Sequence, residues 1–564
     1  MLHVTLRDMD PDEARGIVLA YHRRSEHTLT AYALSLGYLD WASQPDPFRH
    51  FEGTEKIPLA HPAPSDSPPY AALGRPHSIP PAKVDHDSIS RLLYDSLSLS
   101  AWKQAEQTRW SLRVDPSSGN LHPTEAYLTC PPCPALCNSP VLFHYDPSVH
   151  ALERRLILSE QVWEEAFPTS QVDTLLVGLS SIYWRESWKY GERAFRYCQL
   201  DLGHALGCVA VAAAGLGWSA RLVGPLPTGI LARLLGTHEQ EGPEAERAEA
   251  LIVISPRHRQ PPESLEAIRT EKLAALPTES LGDPSQLSVR HFDWPVVDEV
   301  AAATEVPAGC TARYADSVSA AAGPPAEERE EETGRSLTIR TLVRQRRSAL
   351  AMDGVTSLGR DAFLHIMHRC MPGTDQPPQD ILPWPNTLSI ACFVHRVRDM
   401  EPGLYFLLRC TGALDDYRSR LDPAFVWEPV DWRDRPPSLF LLKSGDYRAR
   451  ARQAACGQEI ASDGVASFAM IGDLRSAIAL YGAWFYRRLF WEAGLLGQIL
   501  YLEAEAAGIR GTGIGCYLDD VTRNLLGVKD RDLECFYHFT VGVPLEDPRL
   551  QSLPAYWHIQ PSSG

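Results

Sequence analysis

Two stretches of this chain, residues 193–217 and 482–508, are long, apolar on nearly every side and laid out on one plan. The first reads RAFRYCQLDLGHALGCVAVAAAGLG and the second GAWFYRRLFWEAGLLGQILYLEAEAAG. A helix that is apolar all round has no face for solvent, so each predicts a core helix buried on most sides. With Tyr190-Gly191 set on Tyr481-Gly482, the two segments run for about 35 residues without a gap. Arg196 then meets Arg487, Asp201 meets Glu492, Gly203 meets Gly494, Gly217 meets Gly508 and Gly224 meets Gly515. Few positions are identical, but the spacing is that of a repeat. Two similar halves in one chain can pair as a pseudo-two-fold dimer, the fused form of a symmetric homodimer.

The elements around the helices recur in the same order. In the first unit SISRLLYDSLSLSAWK has apolar residues at helical spacing, AYLTC, VLFHYD and TLLVGLS read as strands, and ALIVIS closes as a buried strand. In the second, LTIRTLVRQRRSALAMDG opens, LSIACFVHRV and GLYFLLRC follow as strands, and FYHFTVG closes. The chain divides into a leader (1–75), a first domain (76–257), a linker (258–335) and a second domain (336–564). The leader holds a helical opening, EARGIVLAYHRRSEHTLTAYAL, and a Pro-rich extended run. The linker is rich in Pro, Glu and Ala, and GPPAEEREEETGRS reads as a solvated tether.

Charge narrows the partners. Lys and Arg number 54 against 71 Asp and Glu, a net charge of −17, which opposes binding to nucleic acid or to an anionic membrane. A local pocket for one small phosphate needs only a few arginines. The N-terminus, MLHVTLRDMDPDEARG, lacks the apolar core of a signal peptide, and no stretch approaches the roughly 18 uninterrupted apolar residues of a membrane helix. The twelve cysteines are scattered, as expected for reduced thiols in a cytoplasmic protein. Cys130, Cys133 and Cys137 cluster in CPPCPALC, but a zinc site needs a fourth ligand and usually a second ligand pair, so a loop without metal is expected.

Three segments can carry chemistry. In RVDPSSGNLHPTEAYL (113–128), Pro116, Ser117, Ser118, Gly119 and Asn120 make a turn that presents hydroxyls, an amide and open backbone N–H groups, with His122 just beyond. Gly119 lets a flat ligand approach the backbone closely. Arg346-Arg347-Ser348 offers two guanidinium forks and a hydroxyl, a set suited to a phosphate dianion. GIRGTGIGCYLDD (508–520) places Gly511, Thr512 and Gly513 in a glycine-rich loop whose backbone can meet a ring edge. It follows a helix, so it is no dinucleotide fingerprint. Each segment alone also fits an ordinary turn or a solvated helix end. His204, in an apolar helix, reads first as a satisfied core histidine, and Arg549 as a solvated side chain.

Together these segments resemble the nitroreductase superfamily, and more closely its SagB-type dehydrogenase branch in tandem form. PSSGNLHPTEAYL is similar to that branch's flavin-facing motif. WRESWKYGERAFRY (184–197), with Gly203-His204 after it, is similar to its long-helix motif, and RRSALAMDG (346–354) to the superfamily's phosphate-binding opening. YHRRSEH and GYLDWASQPDPFRHFEG resemble the leader of tandem members. The resemblance implies an α+β fold of two nitroreductase-like three-layer domains fused as a pseudo-dimer, with flavin mononucleotide (FMN) at their interface. Each flavin of such a dimer takes its arginine arm and glycine loop from one half and its serine turn from the other. Here the halves have diverged in complementary ways. The first keeps the serine turn but has Arg75-Pro76-His77-Ser78 in place of the arginine arm. The second keeps Arg346-Arg347-Ser348 but has Leu382-Pro383-Trp384-Pro385-Asn386 in place of the serine turn. One complete composite site is therefore expected.

The resemblance also implies that Lys189 and Tyr190 move a proton while a substrate yields a hydride to the flavin. The second half has Leu480-Tyr481 there. The expected activity is FMN-dependent oxidation of a small molecule or a modified, azoline-type peptide. Two other readings stay open: an NAD(P)H-dependent nitro- or quinone reductase, marked by rapid bleaching of the flavin by a nicotinamide, and a non-catalytic scaffold, marked by a colourless protein that takes up no FMN.

Overall fold

The computed structural model describes residues 9–64, 66–75, 78–166, 173–256, 272, 280–310, 314, 337–373, 376–410, 412–431, 437–528 and 531–559. Its frame is two seven-stranded antiparallel sheets, one per half, with the same order in six strands and an edge strand of different origin in each. In the first half the order is Lys56–Pro58, Ala151–Ile157, Val141–Asp146, Thr124–Cys130, Leu175–Ser181, Arg247–Pro256 and Trp218–Leu222. In the second it is Glu428–Pro429, Leu439–Ser444, Gly403–Leu407, Leu388–Val394, Ala466–Asp473, Leu533–Gly542 and Arg510–Ile514.

The central strands read as continuous apolar runs because both faces of each sheet are covered. In Leu388–Val394, Leu388, Ile390, Cys392 and Val394 face the large core shared by both halves, while Ala391 and Phe393 face a smaller core under short outer helices. The first half repeats this, with Leu175, Val177 and Leu179 on the shared side and Leu176 on the outer side. Each half is thus three layers, a long inner helix, a sheet and short outer helices, as expected of the α+β fold.

The inner layer is the pair of long helices, Ala194–Gly215 and Phe485–Ala506, buried almost throughout. The run Tyr183–Gly215 is long and apolar enough to cross a membrane, but all of its most apolar window is buried in protein. The helices cross where Gly203 meets Gly494. A Cβ on either residue would stand 2.9 Å from the Cα of the other, so only glycine permits this approach. The pseudo-two-fold axis therefore passes through a glycine pair that the repeat had already aligned. Arginines lock the crossing on both sides. Arg196 bonds to Asp519 of the second half, and Arg487 to Glu249 of the first.

Several expectations change. The predicted helix over 88–103 is a helix only for His86–Tyr94, started by a capping box between Asp85 and Ser88. SLSLSAW alternates with period two, and Leu99–Ala105 is a strand that pairs with Thr108–Arg113 and with Gln551–Leu553 near the end of the chain. The leader helix is Pro11–Arg24, capped by Asp10, and it stops before TLTAYAL. Part of the linker is folded. Residues 280–310 include a strand pairing with Phe51–Glu52 and a helix, Pro295–Ala303, whose Val296, Val297 and Val300 join the shared core. Its apolar pattern is short, and the Pro-rich surroundings hid it. GPPAEEREEETGRS lies outside the described residues. The glycine-rich loop begins as an edge strand, Arg510–Ile514, paired with Leu533–Gly542.

Candidate active site

A cavity of about 370 Å³ opens between the halves, within the size range of small-molecule sites. One wall is the serine turn. Gly119, Asn120 and His122 all have positive φ, so the chain coils tightly here, with Asn120 N and Leu121 N donating back to Ser117 O and Ser118 O. Asp201, on the first long helix, holds the turn. Its two carboxylate oxygens accept from Ser118 N at 3.1 Å each, and one also accepts from Ser118 Oγ at 3.0 Å. Ser117 Oγ accepts from His122 N at 2.8 Å. Burial pushes the Asp201 carboxyl up to about 7 against these bonds.

Lys189 and Tyr190 stand directly behind this turn. A Cβ on Gly119 would lie 2.7 Å from Tyr190 Oη and 2.9 Å from Lys189 Nζ. Glycine is required here for space as well as for its φ of 64°. Tyr190 and Gly119 line the cavity, and Lys189 Nζ lies beside Gly119. Burial, with Glu186 and Tyr197 nearby, keeps the Tyr190 hydroxyl protonated far above its ordinary range. Glu192, three residues beyond Lys189, pairs with Arg24.

The second half supplies the opposite wall. Ala349 N donates to Gly511 O at 3.1 Å, and Thr512 Oγ1 donates to Ala349 O at 2.7 Å, so the arginine arm lies along the glycine strand. Tyr501, on the second long helix, ties the two together through Ser348 Oγ at 2.7 Å and Gly513 N at 3.0 Å. Arg346 reaches across to the first half, donating to Arg113 O and Val114 O at 3.1 and 3.3 Å. Thr512 and Gly513 line the cavity, whereas Gly511 is turned into the strand pairing.

The cations here outnumber their anions. Arg347 is held by the carbonyls of Arg344, Arg346 and Ser100. Burial and the charges of Arg346 and Arg344 pull its guanidinium down to about 9. Lys103 is lowered by burial and by Arg347 and Arg510. An anion bound among these groups would relieve that strain, which fits a phosphate. The cavity also presents buried polar atoms with no partner, Arg346 Nε, Asp115 Oδ1 and His122 Nδ1. Such atoms are costly unless a ligand or water meets them. Anion-seeking end, open donors and glycine-lined walls together fit FMN.

Lys103, Tyr501 and Tyr537 are cavity residues outside the motifs, and Tyr197, the last residue of the long-helix motif, joins them. The tyrosines come from core helices and a central strand, where an aromatic reads as packing. His204 is both core and site. Its ring bonds to Gln498 Oε1 at 3.2 Å and to Tyr537 Oη at 3.1 Å while facing the cavity, and burial lowers its pKa to about 3. Arg549 is exposed and pairs with Asp547.

The pseudo-equivalent place is filled by protein. Glu492 does there what Asp201 does in the open site, accepting from Thr387 N, Thr387 Oγ1 and Leu388 N. No serine turn stands out from it. The short turn Gln379–Ile381 packs directly on the strand Trp218–Leu222, and Asp380 pairs with Arg221 at 3.0 Å. Trp384 is buried against Tyr314, Phe485 and Trp491, with ring centroids 5.5, 5.8 and 6.3 Å away. Of the residues replacing the arginine arm there, Pro76 and His77 lie outside the described residues.

No protein-family model and no curated protein matches the chain. Solved structures do. A crystal structure from Anabaena variabilis, provisionally described as a nitroreductase, superposes with a TM-score of 0.67 over 94% of this chain and 99% of that one, at 23% identity. Shorter matches include a nitroreductase-type protein of Exiguobacterium sibiricum in complex with FMN (12% identity, 36% of this chain and 87% of that one, TM-score 0.22). Another is the E. coli microcin synthetase McbBCD complex with truncated pro-MccB17 bound (18% identity, 44% and 94%, TM-score 0.24). The superposition over nearly the whole chain shows that the protein has the nitroreductase fold across both of its halves.

Proposed function

We propose that the chain is an FMN-dependent oxidoreductase of the SagB-type dehydrogenase kind, acting on a small molecule or an azoline-type peptide and holding one flavin per chain. The observation that carries this reading is the composite cavity, whose serine turn comes from one half and whose arginine arm and glycine strand come from the other. Bound FMN would supply the two-electron acceptor for a substrate hydride. Arg346, Arg347 and Ser348 hold the phosphate, and the second-half strand at Thr512-Gly513 and the first-half turn at 117–120 offer hydrogen bonds to the ring. Asp201 and Tyr501 position those two walls. In this reading the protonated Tyr190 hydroxyl and Lys189 Nζ, both packed against Gly119, are the groups that would exchange a proton with the substrate.

The absorption spectrum and flavin stoichiometry of the full-length protein test this reading. One FMN per chain is expected. Two per chain would break the composite-site model, and a protein that takes up no FMN would break the flavin reading altogether.

A further inference from the structure

Beside the cavity, two chain segments run against each other. One is the end of the helix Arg448–Ala454 with residues 455–458, and the other is the loop 515–518 between the glycine strand and the helix Asp519–Leu526. Two hydrogen bonds clamp them, Leu518 N to Ala454 O at 2.7 Å and Gln458 Nε2 to Cys516 O at 3.1 Å. Cys456 and Cys516 fall between these clamps, on the two facing segments. Cys456 sits at a φ of 54°, a left-handed conformation unusual for a side chain of any size. Both cysteines are half-exposed, and Cys516 and Gln458 line the cavity.

The surroundings differentiate the two thiols. His27 Nδ1 accepts from Ala33 N at 3.0 Å, which leaves the proton on Nε2, and the ring reaches Cys516. Arg193 adds positive charge on the same side. The Cys456 thiol and the His27 ring hold Cys516 well below the ordinary thiol range. Cys516 and burial hold the Cys456 thiol high, against the opposing pull of the Tyr32 hydroxyl, so its proton stays on its own sulfur. One thiol is thus a poised nucleophile and the other a protonated partner within its reach.

We infer that Cys456 and Cys516 form a redox-sensitive thiol pair on the cavity wall, in which Cys516 attacks a small disulfide and Cys456 resolves the product. In the first step Cys516 Sγ⁻ forms a bond to one sulfur of R–S–S–R, and R–S⁻ leaves with that bond's electron pair. Cys456 then loses its proton and attacks Cys516 Sγ, which expels the second R–S⁻ and closes an intrachain disulfide. Counted from one thiolate and one thiol, the protein loses two electrons and one proton, and the small disulfide leaves as two thiolates that take up protons from solvent. This chemistry stands without the flavin reading.

The test uses full-length protein, reduced, freed of reductant and then exposed to oxidised glutathione. The expected product has lost two thiols, carries no glutathione, yields a Cys456–Cys516 cross-linked peptide and reverts with dithiothreitol. Cys456→Ser should instead stall as a glutathione adduct on Cys516, and Cys516→Ser should leave Cys456 unmodified. Iodoacetamide should label Cys516 at a pH below the roughly 8.5 of a free cysteine, and His27→Gln should move that profile upward. The inference fails if Cys516 of the wild type titrates as an ordinary thiol, if its glutathione adduct never resolves, or if cross-linking is confined to Cys130 and Cys137, whose sulfurs lie 3.7 Å apart.

Discussion

The open cavity and its closed counterpart share a scaffold and differ in what hangs from it. Asp201 and Glu492 occupy equivalent helix positions and each anchors a backbone turn through its carboxylate. In the open site that turn carries Ser117, Ser118 and Gly119 and stands away from the glycine strand. In the closed site the turn is short, bears Trp384, and packs on a strand whose Arg221 and Leu222 replace Thr512 and Gly513. The anchors and the glycine crossing serve the fold, so both halves keep them. The loops serve a ligand, so one set was free to become core. A homodimer cannot do this, because any change enters both of its sites.

The largest effect should come from the arginine arm. Arg346→Ala with Arg347→Ala removes two charge-assisted phosphate contacts, each worth about 1.5–3 kcal/mol, and should abolish FMN retention on gel filtration. Arg75→Ala, at the closed site, should leave binding unchanged. Equal losses from both changes would erase the distinction between the sites.

Trp384→Ala tests the filling itself. A buried tryptophan cut to alanine costs about 3–5 kcal/mol, read as a lower urea midpoint. No second flavin should enter, because the closed site still lacks the arginine pair.

Lys189→Ala and Tyr190→Phe should each keep FMN bound and slow substrate oxidation about 100-fold or more. Leu480→Ala, at the matching place in the second half, should leave turnover alone. Wild-type rates in both first-half variants would make the pair structural.

The smallest expected change is Arg221→Ala. Its partly exposed pair with Asp380 should be worth no more than about 1 kcal/mol, measured as a shift in Tm with flavin content unchanged. A gain of flavin would mean that this pair, rather than Trp384, keeps the second site shut.

Much of this was legible in advance because it rests on local pattern. The apolar helices announced the shared core, and the aligned glycines marked their crossing. The serine turn and the arginine arm were recognisable as motifs, and their complementary loss pointed to one cavity. The misreadings have physical causes. Leu99–Ala105 continues an apolar helix without a breaker, and only the Leu/Ser alternation betrays a strand. The glycine strand reads as a loop in sequence because Gly511, Gly513 and Gly515 break its pattern, although it pairs with Leu533–Gly542. Tyr501 and Tyr537 were invisible as site residues because a core aromatic and a cavity aromatic look alike until the walls are assembled.

The strand Gln551–Leu553 pairs with Leu99–Ala105, the strand that carries Lys103. For a ribosome this ordering matters. The first half emerges hundreds of residues before the strand that completes its hairpin sheet, and its long helix likewise precedes by hundreds of residues the helix that covers it. Until then an apolar surface and an unpaired strand edge are open to chaperones and to other chains. The cavity has only one wall until the second half has emerged, so nothing can be held between the walls before then. Deleting Gln551–Leu553 should disturb Lys103 at the cation end of the site, far earlier in the sequence than the cut.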